Sequence, residues 1–136
     1  MVTTMIVRVR DLMNENIISV DVSASILDAI QIMTANEIGS IVVTRGGDPV
    51  GILTERDCLK KVCGELDCAI VTAGEIMSTP LITIDADASL YKAARMMLEN
   101  NIRRLFVIRD GTIVGIFTQK DLLTKINDVF LALASI

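Results

Sequence analysis

The chain has 136 residues, a length that suits one compact unit with a sizeable core. Its composition, 51% hydrophobic and 22% charged, excludes a disordered chain, and no apolar run approaches the roughly 18 residues of a membrane span. The net charge of −4 and the 3% of aromatic residues argue against a nucleic-acid partner, which needs a basic surface or a stacking platform. Because Met1 to Asp11 lacks the apolar core of a secretory signal, we expect a soluble, cytoplasmic protein.

The first half of the chain has the pattern strand, helix, strand, strand, helix. Residues 17–22 form a short segment rich in β-branched side chains, which predicts a strand. Ser25 and Asp28 resemble the capping box that begins a helix. A glycine-containing turn joins the next two strands as a hairpin, and a last helix completes the half. The two hairpin strands are Ser40–Thr44 and Val50–Thr54. The helical residues predicted to be buried are Ile26, Ala29, Ile30, Met33, Leu59 and Val62.

The second half of the chain repeats the first. A shift of 64 positions (77 − 13) places Met13 on Met77 and Asp21 on Asp85 without a gap. The same shift aligns Ala24-Ser25 with Ala88-Ser89, Met33 with Met97, Gly51-Ile52 with Gly115-Ile116, Thr54 with Thr118 and Asp57 with Asp121. Self-similarity over such a length is the signature of a duplicated structural unit. The predicted second hairpin is Arg104–Ile108 and Ile113–Thr118, joined at Asp110-Gly111, and the last helix is predicted to bury Leu122, Leu123 and Ile126.

These patterns divide the chain into a first repeat at 9–63, a second at 73–126 and a C-terminal tail at 127–136. One repeat has an apolar sheet face that it cannot cover alone, so we expect the two repeats to pack on each other. The tail is rich in apolar residues and is predicted to dock rather than to be disordered. Three cysteines, Cys58, Cys63 and Cys68, occur in a chain without histidine, so they are interpreted as reduced thiols and not as metal ligands.

One short motif follows each hairpin: Gly51-Ile52-Leu53-Thr54-Glu55-Arg56-Asp57, and later Gly115-Ile116-Phe117-Thr118-Gln119-Lys120-Asp121. The Thr and Asp residues can form a capping box, which is the commoner role of such a pair. A helix start also attracts phosphate, the Asp carboxylate can accept hydrogen bonds from a ribose diol, and the glycine lets a ligand approach the backbone closely. Both interpretations remain open at this point.

The layout, the register and this motif together resemble the CBS domain family, in tandem. The resemblance runs from about Val9 to Ile126. It implies an α+β fold in which two β-α-β-β-α repeats pack through their sheets as a pseudo-two-fold pair, a Bateman module, with two ligand clefts. It also implies a homodimer and an effector protein that responds to the module.

In this family the Asp of the motif binds ribose hydroxyls, and the Thr contacts ribose or phosphate. The resemblance thus implies one cleft at Thr54 and Asp57, and another at Thr118 and Asp121. The first would be completed by Ile52, Ile82, Thr83 and Ile102, with Ile52 and Ile102 against the adenine. The equivalent residues of the second are Ile116, Ile18, Ser19 and Ile38.

The two repeats differ just before their second strands, where Gly39-Ser40 in the first corresponds to Arg103-Arg104 in the second. The family resemblance implies that basic residues here reach the phosphates of the ligand held by the other repeat's Asp. Arg103, Arg104 and Lys120 therefore favour the Asp57 cleft for a phosphorylated ligand. The arginines could equally be a solvated pair. The Asp121 cleft would take a less charged adenosine compound, bind weakly or stay empty.

The function implied is a regulatory module that binds AMP, ADP or ATP, ahead of S-adenosylmethionine or NAD, and that needs no cofactor. The alternative is a structural dimerisation module without a physiological ligand. An enzyme is not expected, because the chain has no histidine, no P-loop and no nucleophile paired with a base. Neither nucleic acid nor membrane is an expected partner.

Overall fold

The computed structural model describes residues 6–62, 67–79 and 81–134. It has a mixed α+β fold with two three-stranded sheets, as the sequence predicts. The elements are α1 (Val9–Leu12), β1 (Ser19–Asp21), α2 (Ile26–Ala35), β2 (Ser40–Arg45), β3 (Asp48–Thr54), α3 (Glu55–Val62), α4 (Ala73–Ile76), β4 (Thr83–Asp85), α5 (Leu90–Asn100), β5 (Arg104–Arg109), β6 (Thr112–Thr118) and α6 (Gln119–Ala134). No helix in these described ranges is both long and apolar enough to cross a bilayer.

The chain folds as two compact units. The first unit is Ile18–Leu81, and the second is Ile82–Ile136 together with the preceding segment Met1–Ile17. In each unit the first strand pairs in parallel with the second, and the second pairs antiparallel with the third, which gives the orders β1-β2-β3 and β4-β5-β6. Each predicted hairpin is thereby confirmed.

Each unit has its own hydrophobic core between its sheet and its helices. In the first unit the core includes Ile26, Ala29 and Met33 of α2, packed with Ile30 at its edge. The helix begins where predicted, because the Ser25 hydroxyl accepts a hydrogen bond from the Asp28 N–H at 3.1 Å. Ser89 begins α5 in the same way, because its hydroxyl accepts a hydrogen bond from the Lys92 backbone N–H at 3.0 Å. The amphipathic helices predicted from the sequence are therefore present in both repeats.

The predicted core of the last helices is largely wrong. Leu59, Leu123 and Ile126 are exposed, whereas Cys58 is buried in the first core and Leu122 packs against the second. Since successive helical residues point about 100° apart, burying Cys58 and Leu122 turns the next leucine outward. The side chain of Val62, also predicted to be buried, lies outside the described residues, as does Cys63.

Two four-residue helices, α1 and α4, were not predicted. Each precedes the first strand of a repeat, yet each packs on the unit formed by the other repeat. In the second unit Val9 is fully buried and its N–H donates to the Ala88 carbonyl at 3.0 Å. In the first unit the Ala73 N–H donates to the Ala24 carbonyl at 2.7 Å. The boundaries of the two compact units therefore differ from those of the two sequence repeats.

The segment at 127–136, described to residue 134, continues helix α6 and is not a separate tail. Helix α6 has 16 residues, twice the 8 residues of α3. Its apolar side chains after Leu122 are exposed in the described structure. The predicted docking of this segment within the chain is therefore not what the structure shows.

Candidate functional site

The Thr–Asp motif of the first unit forms a reciprocal capping box at the junction of β3 and α3. The Asp57 Oδ2 atom accepts from the Thr54 N–H at 3.0 Å, and the Thr54 hydroxyl accepts from the Asp57 N–H at 3.1 Å. Both side chains are partly buried. Two backbone donors at the helix start are thus satisfied, which confirms the capping role predicted for this pair.

The second unit repeats this geometry at the junction of β6 and α6. The Asp121 Oδ2 atom accepts from the Thr118 N–H at 2.8 Å, and the Thr118 hydroxyl accepts from the Asp121 N–H at 3.2 Å. In both boxes the carboxylate caps the helix through Oδ2, which leaves Oδ1 and the threonine hydroxyl proton for a ligand. Two equivalent sets of carboxylate and hydroxyl groups are therefore held in defined positions.

The residues that precede the second strand lie beside the capping box of their own unit. In the first unit the Glu55 N–H donates to the Gly39 carbonyl at 3.0 Å, and Ser40 is the pairing partner of Thr54. In the second unit the Gln119 N–H donates to the Arg103 carbonyl at 2.9 Å. Arg104 there is the pairing partner of Thr118. The unequal residues of the two repeats thus occupy equivalent positions next to the two motifs.

Several predicted ligand residues share the sheet face opposite to the helix-side core. In the first unit Ser19, Val42 and Ile52 lie in one row across the three strands, next to the row of Ser40 and Thr54. Because side chains alternate along a strand, these residues point to one face. The corresponding residues of the second unit are Thr83, Phe106, Ile116, Arg104 and Thr118. Each unit therefore presents isoleucine and hydroxyl side chains on one sheet face, next to its Thr–Asp box.

Other predicted residues adjoin these rows. The Ile18 carbonyl accepts from the Val42 N–H at 3.1 Å, and the Ile82 carbonyl accepts from the Phe106 N–H at 3.0 Å. Ile38 and Ile102 are partly buried and pack at the edges of the two cores. Lys120 is exposed in the first turn of α6. The predicted Asp57 cleft draws on residues of both units, and its assignment stays a prediction.

The glycine of each motif contacts the chain itself. A Cβ atom on Gly51 would lie 2.6 Å from Met77 Sδ and 3.0 Å from the Ser78 carbonyl oxygen. A Cβ atom on Gly115 would lie 2.6 Å from Met13 Sδ and 3.1 Å from the Asn14 carbonyl oxygen. The close approach that the sequence suggested for a ligand is therefore made by the segment that follows α1 or α4. This packing also accounts for the methionine at the start of each repeat.

A surface groove of about 560 Å³ lies beside β1 in the first unit. Its lining residues are Ser19, Val20, Asp21, Ala24, Asp28, Gln31, Ile32, Ala35 and Asn36. Of the predicted ligand residues it contains Ser19, and it contains neither Thr54 nor Asp57. The groove is therefore a feature separate from the capping box.

Two titratable groups near these elements have shifted pKa values. Burial raises the pKa of the Cys58 thiol, and the neighbouring carboxylate of Asp57 raises it further. Hydrogen bonds from the side chain and then the backbone of Ser23 lower the pKa of Asp21, which is fully exposed. In the described part of the chain no group of three or more acidic or cysteine side chains is arranged to hold a metal ion.

Comparison with known proteins places this chain in a family. The CBS domain matches twice, at residues 9–64 and 73–128, and the chain therefore belongs to the CBS domain family as a tandem pair. Paired CBS domains are generally regulatory, non-catalytic modules.

The relatives include proteins of archaea and bacteria. The chain is 38% identical to an uncharacterized protein of Methanocaldococcus jannaschii and 39% identical to one of Methanopyrus kandleri, over 90% and 67% of its own length. It spans 32% and 48% of those two proteins, that is, a third to a half of their length. It is also 33% identical to hypoxic response protein 1 of Mycobacterium tuberculosis, over 83% of this chain and 80% of that protein.

Two solved structures show the same fold. A conserved protein of Pyrococcus horikoshii superposes with a TM-score of 0.80 at 30% identity, over 90% of this chain and 94% of that one. A hexameric CBS-CP12 protein from bloom-forming cyanobacteria superposes with a TM-score of 0.79 at 28% identity, over 88% and 68% of the two chains. Self-association thus occurs among the structural relatives.

Proposed function

We propose that this chain is a regulatory module that binds an adenine nucleotide, AMP, ADP or ATP, and signals its presence to an effector protein. The observation that carries the proposal is the duplicated Thr–Asp box. In each copy a hydroxyl two residues beyond a half-buried isoleucine, and a carboxylate oxygen five residues beyond it, remain for a ribose. S-adenosylmethionine and NAD share the adenosine group and are the second choice. The proposal includes self-association and a cytoplasmic location, where these nucleotides are used.

We further propose that the two motifs bind unequal ligands. Arg103 and Arg104 would contact phosphate oxygens of the nucleotide whose ribose is held by Asp57, as the family resemblance implies. Asp121 would hold a less charged adenosine compound or remain empty. Charge reversal by Arg104→Glu should then weaken the binding of AMP far more than the binding of adenosine. An equal loss for the two ligands would exclude a phosphate contact.

The competing function is a structural module without a physiological ligand. One observation favours it: each capping box already satisfies its own backbone donors, so the motif has a structural role that needs no nucleotide. Nucleotide binding requires that the same side chains serve both purposes.

A thermal-shift experiment on the whole chain separates the two functions. Melting is followed with AMP, ADP, ATP, S-adenosylmethionine and NADH, and with inorganic phosphate and free ribose as controls. A ligand at about 100 times its dissociation constant stabilises the folded state by roughly 2.7 kcal/mol. At this chain length that corresponds to a rise in Tm of about 10 °C. If none of the adenosine compounds raises Tm beyond the controls, the ligand-binding function is excluded and the structural one stands.

A further inference from the structure

The C-terminal half of helix α6 exposes apolar side chains on nearly all of its faces. Ile126 is 39% exposed, Val129 47%, Phe130 63%, Leu131 61% and Leu133 60%. Between residues 127 and 134 the only charged residue is Asp128. A helix that is apolar all round is normally buried, and soluble monomers rarely expose a continuous apolar patch of this kind. This part of α6 therefore has the character of an interaction surface.

Within the described residues, the first repeat shows no counterpart of this extension. Helix α3 has 8 residues, against 16 in α6. After α3 the described chain returns to the start of α2, where the Leu27 N–H donates to the Cys68 carbonyl at 3.0 Å. Among the described residues, the core of the second unit reaches Leu122 on α6 and includes none after it. The extension therefore adds nothing to the core of its own unit.

The spacing of the exposed residues indicates what covers them. Leu123, Ile126, Phe130 and Leu133 follow one another at intervals of three, four and three residues, which is the a/d spacing of a coiled-coil seam. The flanking positions next to Phe130 and Ile126 are Val129 and Asn127, which are uncharged. Charged flanks select an oppositely charged partner or repel a second copy, and neither effect operates here.

A membrane surface is a poorer match. Helices that lie on membranes carry lysine or arginine on a polar face. The last basic residue of α6 is Lys125, and the chain as a whole has a net charge of −4. The charge pattern therefore favours an apolar protein surface over an anionic bilayer.

We propose that α6 pairs with α6 of a second copy of this chain through the seam of Leu123, Ile126, Phe130 and Leu133. This inference rests on the self-association included in the proposed function and assigns it to a particular helix. An isologous contact of this type uses the same patch twice, so the seam residues of each copy cover those of the other. Side chains exposed to this degree bury on the order of 400 Å² per copy, about half of a standard interface. The dimer is therefore expected to depend on concentration in the micromolar range.

Sedimentation velocity of the whole chain between about 5 and 500 μM tests this proposal, since an interface of this modest size dissociates within such a range. The weight-average mass of the wild-type chain should rise from 14.8 kDa toward twice that value. Phe130→Asp and Leu133→Asp should each raise the dissociation constant at least about 100-fold, because every dimer would bury two carboxylates. Ile70→Asp changes an equally apolar and 74% exposed residue in the other unit, and it should leave the mass unchanged.

The outcomes distinguish the α6 seam from self-association in general. A wild-type chain that stays at 14.8 kDa overturns both the seam and the proposed self-association. A dimer that persists in both aspartate variants overturns the seam alone. Dissociation of Ile70→Asp to the same extent also overturns it. Far-UV circular dichroism shows that the helices are retained, and Leu133→Asp, near the helix end, carries the test if Phe130→Asp loses structure.

Discussion

Replacing Gly51 by alanine tests the packing that joins each motif to the segment after the short helix. The new methyl carbon would lie 2.6 Å from Met77 Sδ and 3.0 Å from the Ser78 carbonyl oxygen. The methionine side chain can move, but the carbonyl is held, because it accepts from the Ile52 N–H at 3.1 Å while the Ser78 N–H donates back at 2.8 Å. Overpacking of this type costs about 1–3 kcal/mol, or roughly 4–12 °C in Tm for a chain of this size.

The assay is urea denaturation of the wild type, Gly51→Ala, Met77→Ala and the double variant. Truncating Met77 removes the sulfur contact and leaves the contact with the carbonyl, so the double variant should be more stable than the sum of the single effects by about 0.5–2 kcal/mol. Gly115→Ala should behave like Gly51→Ala, because Met13 and Asn14 occupy the equivalent places. A Gly51→Ala chain as stable as the wild type, or single effects that simply add, would refute this account of the glycine.

Further predictions concern side chains close to the motifs. Asp57→Ala should destabilise the chain by about 1–2 kcal/mol, because it removes the cap and a negative charge at the helix start. Asp57→Asn should cost at most about 1 kcal/mol, because its amide oxygen still accepts the hydrogen bond. Equal losses of stability in urea denaturation would show that the hydrogen bond contributes nothing. Ser23→Ala should raise the pKa of Asp21 toward its usual value near 3.8, because the serine donates to the carboxylate. Since a lowered pKa favours the folded state, this small contribution is present above about pH 4 and is lost as the pH falls, and an Asp21 NMR titration that does not change contradicts it. Buried Cys58, whose pKa is raised, should react with iodoacetamide more slowly at pH 8 than the more exposed Cys68; mass-spectrometric peptide mapping that finds Cys58 labelled first would contradict the buried position.

The sequence predicted the elements whose signals are local. The two hairpins follow from turn residues between β-branched runs, and the helix starts follow from serine or threonine three residues before a polar partner. The duplication supports both, since each signal occurs twice. The capping role of the pairs that begin at Thr54 and Thr118 could therefore be predicted from the sequence, and the structure gives the individual hydrogen bonds.

The features that were missed depend on contacts distant in sequence. Helices α1 and α4 have 4 residues each, too few to show a helical period. Their exchange between repeats depends on packing around Met13 and Met77, which the sequence records only as a repeated methionine. The helical pattern predicted Leu59 for the core, whereas the structure buries Cys58, in keeping with free cysteine being among the most buried residue types.

The candidate site was predicted only in part. The Thr–Asp boxes and the isoleucines in register with them follow from the repeat, and the structure gives their geometry within each unit. Which nucleotide binds, and whether Arg104 contacts the ligand of Asp57, depends on a ligand and remains for experiment. A double-variant cycle of Arg104 with Asp57 and with Asp121 would assign it, because only groups on one ligand show coupled losses in affinity.

Isothermal titration calorimetry of AMP into the whole chain tests the central claim most directly, with wild type, Asp57→Asn and Asp121→Asn compared. We predict measurable binding by the wild type and a loss of affinity of about 10- to 150-fold in Asp57→Asn, which is the range for charge-assisted hydrogen bonds. The loss in Asp121→Asn should be smaller. Urea denaturation must show that Asp57→Asn remains folded. AMP affinity that is unchanged in Asp57→Asn, or a wild-type chain that binds no adenine nucleotide, would contradict it.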